Sequence, residues 1–75
     1  MNNIRRKEIQ KAITLMEAAK EILEAVRDEE QEALDNMPES LQYSERGEQM
    51  QEYISTLDDK IDYLETDELE EIINI

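Results

Sequence analysis

The residues with the most scope for chemistry lie mid-chain: Ser44, Arg46 and Gly47. A guanidinium beside the free backbone N–H groups of a starting helix could clasp a phosphate or a carboxylate. The same side chain could instead pair with Glu32, Asp35 or Glu39 and fix the loop. Gly47 permits close approach to the backbone, whether by another helix or by a ligand. Carboxylates recur about one turn apart at Asp28, Glu29, Glu32 and Asp35, and again at Glu65, Glu68 and Glu71. In a helical bundle such groups can hold magnesium, as in all-helical nucleotide pyrophosphatases, but those enzymes also need basic residues for phosphate and a substrate cleft. The chain has no histidine and no cysteine, so no credible pair of nucleophile and base is present, and a zinc site has no soft or imidazole ligand to use. The expectation is a protein without catalytic residues, resident metal or cofactor.

The elements that carry these residues must come from a short, very acidic chain. Seventy-five residues hold 21 Asp and Glu against 8 Lys and Arg, a formal net charge of −13, with a pI near 4.1. Such a surface repels nucleic acid and anionic membranes, so direct nucleic-acid binding is not expected. No apolar run is long enough to span a bilayer, and Arg5, Arg6 and Lys7 are followed by mixed polar residues rather than the apolar core of a secretory signal. A cytoplasmic protein is expected. One domain of this size buries little surface, and without disulfides or a metal the natural source of further burial is a partner chain.

From Ile4 to Asp35 nothing breaks a helix, and strong helix formers dominate. Ala12, Leu15, Ala19, Ile22 and Val26 follow the 3,4 spacing of a buried seam, with Ile9, Ile13, Met16 and Leu23 widening it on one flank. Continuing that seam leads to Ala33 and leaves Glu29 or Glu30 where a core residue belongs, as if neighbouring helices diverge there. Met37 before Pro38 disfavours further helix, so a first helix is predicted over 4–36 and a loop with a short turn over 37–44. Ser44 then caps a second helix over 45–64, whose Met50, Ile54, Leu57, Ile61 and Leu64 alternate steps of four and three. Thr66, followed by Asp67 and Glu68, reads as a fresh N-cap for a short helix over 67–74 bearing Leu69, Ile72 and Ile73, with Ile75 beyond it.

The fold class is therefore all-α: an antiparallel helical hairpin with a short C-terminal helix or kink, in one domain over 1–75. Residues 1–27 carry six basic and four acidic side chains, whereas 28–75 carry two and seventeen. Folding back at Pro38 is expected to bring Arg5, Arg6 and Lys7 beside Glu65 to Glu71. Two helices cannot enclose a core, so association into a four-helix bundle or higher oligomer is expected, with Leu15, Ile22, Val26, Met50, Ile54, Leu57, Ile61 and Leu64 as its core. Tyr43, Tyr53 and Tyr63 recur every ten residues, match no single helical face, and read as boundary or partner-contact residues.

The run EEQEALDNMPESLQYSERGEQM, Glu29 to Met50, resembles a pattern in small acidic helical proteins of tailed bacteriophages and prophages, whose acidic helix end is followed by a DN-x-PESLQ-x-SERGE loop. It implies a phage accessory protein in the host cytoplasm and points to Asn36, Pro38, Glu39, Ser40, Leu41, Gln42, Ser44, Arg46 and Gly47. The function expected is non-enzymatic: binding and modulating or inhibiting a host macromolecule, such as a defence system. Two alternatives stand beside it, an oligomeric sponge that sequesters a small phosphorylated nucleotide signal and an acidic DNA mimic.

Overall fold

Helix α1 spans Asn3–Asp35 and is started by Asn2, whose side-chain oxygen accepts from the Arg5 N–H at 2.8 Å, satisfying one of the orphan donors of a helix start. It stops where the sequence stops supplying helical geometry: Pro38 follows Met37, and the Asn36 and Met37 N–H groups close the last turn onto the carbonyls of Glu32 and Leu34. One turn, α2 (Glu39–Gln42), follows. Helix α3 covers Glu45–Tyr63 and α4 covers Asp67–Ile73. These four helices come from a computed structural model that describes residues 1–74; Ile75 of the expected C-terminal apolar patch lies outside them. Among the described residues there is no strand, and no helix is long and apolar enough to cross a membrane.

Helix α3 folds back along α1, and α4 packs on α1 as well, giving a rod of 58 × 14 × 13 Å. Where they meet, Ile13 and Leu34 of α1 and Met50 and Ile61 of α3 are buried. Removing one such side chain from water is worth about 2 kcal/mol. The register is marked by Arg27, which pairs across the hairpin with Asp58 at 3.1 Å, and by Lys20, whose charge acts on Glu65.

Within the single chain, α1 packs on α3 and α4 through the flank of the expected seam rather than its centre. Ile13 is only 1 % exposed, while Leu15 and Ile22, expected in the buried seam, are 71 % and 64 % exposed. The face turned to α3 and α4 is Ile9, Ile13, Met16, Lys20, Leu23, Arg27, Glu30 and Leu34, all buried or half-buried. This series alternates steps of four and three without a break, passing through the acidic patch to Leu34 rather than Ala33. Three of its eight members are charged, which hides it from an apolar count, but long side chains can lay their stems on apolar surface while the head reaches solvent. A hairpin covers one stripe of α1 only, so the purely apolar stripe is left outside.

The α3–α4 joint also differs in detail. Thr66 precedes α4 but makes no side-chain cap; it is buried and its hydroxyl donates to Glu70 at 3.4 Å. The cap comes from Glu65, which accepts from the Thr66 and Asp67 N–H groups at 2.9 and 3.2 Å. Those two donors, Thr66 first, hold the Glu65 carboxyl below its ordinary range, and the neighbouring Glu65 pushes Asp67 up. A lowered folded value stabilises the fold above the unfolded pKa and is lost as pH falls through the folded one; the raised Asp67 works in the opposite sense. Glu65→Ala should therefore lower the melting temperature at neutral pH. On acidification the gap to wild type should persist while Asp67 takes up its proton, then close as pH passes through the lowered Glu65 value. Thermal melts followed by circular dichroism across that range check this, and a gap independent of pH would remove Glu65 as the cap.

Candidate functional site

The hairpin tip is built by backbone groups that the local sequence leaves unpaired. Pro38 offers its carbonyl to the Leu41 and Gln42 N–H groups, which makes α2. Gln42 turns inward, and its side-chain amide donates to the carbonyls of Leu34 and Met37 at 3.3 and 3.1 Å, satisfying acceptors that the end of α1 leaves open. Ser44 accepts from the Gly47 N–H at 3.3 Å and donates to the Leu41 carbonyl. Gly47 is buried beneath the backbone of α2: a Cβ there would lie 2.6 Å from both the Gln42 carbonyl carbon and the Leu41 carbonyl oxygen.

The residues singled out in the sequence therefore divide into two sets. Gln42, Ser44 and Gly47 lock the tip. Asn36, Pro38, Glu39, Ser40 and Arg46 face solvent. Among the described residues Arg46 has no ion-pair partner, so neither Glu32, Asp35 nor Glu39 fixes it. An anion clasped by Arg46 at the start of α3 would not find the Gly47 N–H, which is taken by Ser44, and the Gly47 Cα is covered by the Gln42 backbone. Gln42 was expected as a contact residue; nothing in the sequence separates its inward amide from the polar residues around it. Arg27 and Asp58, which sequence reasoning missed, had a usable signal, since Arg27 sits four residues after Leu23 on the unbroken 4,3 series.

Beyond the tip, the acidic surface is open. Glu45, Glu48, Glu52, Asp59 and Asp62 of α3 are exposed, and among the described residues no three acidic groups come close enough to hold a metal ion. Three tyrosines stand out from this surface: Tyr43 at the tip is 73 % exposed, Tyr53 is 52 % and Tyr63 is 77 %. Tyr63 shares a shallow depression with Asp59 and Asp62, and Lys60 lies 5.1 Å from its ring centroid, within reach of a weak cation–π contact. Tyr53 lies on another side, in a groove with Val26, Glu30, Thr56 and Leu57. Such a surface can offer apolar contact and negative charge to a macromolecule. Comparison of the chain with protein-family models, curated proteins and solved structures finds no match to any of them.

Proposed function

We propose that this protein works by association: it is a non-enzymatic, self-associating helical protein that binds and modulates another macromolecule through its tip and the acidic side of α3. The observation that carries this is the placement of Tyr43 and Tyr63, both more than 70 % exposed, at opposite ends of a helix that exposes six carboxylates. A bare tyrosine loses little conformational entropy on binding and is enriched at interface hot spots. Carboxylates around it select a partner with a basic surface and speed the encounter at low salt. The loop's resemblance to small phage proteins suggests a host protein as that partner, a component of a defence system being one such target. The nucleotide sponge has less support, since the Ser44 hydroxyl and the Gly47 N–H are taken up by the tip itself, leaving Arg46 as the donor that could meet phosphate.

The test is capture from bacterial lysate by the tagged protein, with washes of rising salt and a Tyr43→Ala, Tyr63→Ala variant alongside. A stoichiometric basic protein, released at moderate salt and at least tenfold depleted on the variant, is the expected result. Equal capture by both proteins would overturn the proposed surface. If duplex DNA displaces the captured protein with the salt dependence of phosphate contacts, the modulation is mimicry of DNA. A small phosphorylated compound released on heating wild type, but not an Arg46→Ala, Ser44→Ala variant, would put the sponge in its place.

A further inference from the structure

Helix α1 carries a second apolar stripe that the hairpin does not use. Leu15, Ile22 and Val26 are 71 %, 64 % and 44 % exposed, and Ala12 and Ala19 fill the steps between them. The stripe continues onto α3, because Val26 shares its groove with Tyr53 and Leu57. Leaving three large aliphatic side chains in water along one helix face, in so small a chain, calls for a cover.

We infer that a second copy of this chain covers this side, with its α1 antiparallel to the first. The charges at the two ends of the stripe decide the direction. Lys7 and Lys11 flank the start of the stripe beside Leu15, Lys11 also pairing within its own helix with the exposed Glu8 at 3.0 Å, while Glu29 and Glu30 flank its end. A parallel copy would set lysine against lysine and glutamate against glutamate; an antiparallel copy sets Lys11 of each chain near Glu30 of the other. The same alignment puts Leu15 opposite Val26 and Ala19 opposite Ile22, so a large residue meets a small one at the centre, as interdigitating helices require. Size agrees as well. One side of a 58 × 14 Å body projects to about 800 Å², what a stable interface takes from each partner. The product is a four-helix bundle in which Tyr53 lies at the interface, while Tyr43 and Tyr63 stay available. This inference rests on the self-association in the proposed function and specifies its face and orientation.

Since the natural chain has no cysteine, disulfide trapping gives a clean test. Leu15→Cys and Val26→Cys variants are prepared separately, mixed, and oxidised mildly with a copper–phenanthroline catalyst in air. Positions 15 and 26 are about 16 Å apart along one helix, and a disulfide spans Cα atoms about 4.4–6.8 Å apart. Cross-linked dimer is expected in the mixture and not with either variant alone. Strong self-linking of each variant alone would overturn the antiparallel arrangement, and no link in any sample would overturn the face. Sedimentation of the wild type separates these from failure of self-association. A mass of twice 8.9 kDa is expected, and a single-chain mass at every concentration would remove both the interface and the self-association on which it rests. Ile22→Asp should lower the mass twofold at a concentration where wild type is dimeric; unchanged mass would also overturn the face.

Discussion

Gly47→Ala should destabilise the protein by about 3 kcal/mol, close to all that a core of this size supplies. The sign is not what helix propensity predicts. Gly47 lies in the first turns of α3, and replacing an open helical glycine by alanine normally gains up to about 1 kcal/mol. Here the new methyl group would fall on the Gln42 carbonyl and within 2.6 Å of the Leu41 carbonyl oxygen. Both are backbone atoms of a single-turn helix, and the Gln42 carbonyl also accepts from the Gln51 amide at 3.2 Å. The methyl cannot be accommodated by rotating a side chain; α2 must lift off α3, taking with it the Gln42 amide that caps α1. Urea unfolding followed at 222 nm should show a much lower midpoint with a similar slope. A variant as stable as wild type, or more stable, would show that propensity wins and that the tip is not closed over Gly47.

The second large effect is expected from Ile61→Asp. Ile61 is 6 % exposed on the face of α3 that meets α1, one turn beyond Asp58, whose pairing with Arg27 sets it against the stretch of α1 around Lys20 and Leu23. Burying an unpaired carboxylate there costs several kcal/mol, more than the hairpin has to lose. The variant should lose most of its helical signal at neutral pH and recover part of it on acidification, when the carboxyl takes up its proton. Full helicity at neutral pH would mean that the Met50–Ile61 side of α3 is not the hairpin seam.

Much of the fold was legible because its punctuation is local. Pro38, Ser44 and the Glu65–Thr66–Asp67 run act on the few residues next to them, so the breaks between helices follow from residue chemistry alone. The face of α1 was not, because two stripes compete along it and periodicity does not say which one a single partner helix will take. The stripe of Leu15, Ile22 and Val26 is more apolar, but the one through Ile13 runs the full helix and lets Lys20 and Arg27 reach out of it, Arg27 to Asp58. The tip was half legible. Ser44 announced itself as a cap, but the inward turn of Gln42 and the covering of Gly47 depend on how α2 folds over α3, a contact set by three-dimensional closure rather than by neighbours in sequence.

The division of α1 into an inner face and an associating face is tested most directly by thiol reactivity in two single-cysteine variants, Ile13→Cys and Ile22→Cys, measured over a hundredfold range of protein concentration. Ile13→Cys should react slowly throughout, because opening the hairpin is needed to reach it. Ile22→Cys should react quickly when dilute and become protected as concentration rises, with a midpoint at the dimer dissociation constant. Reactivity at position 22 that stays high at every concentration, or reactivity at position 13 that equals it, would contradict the account.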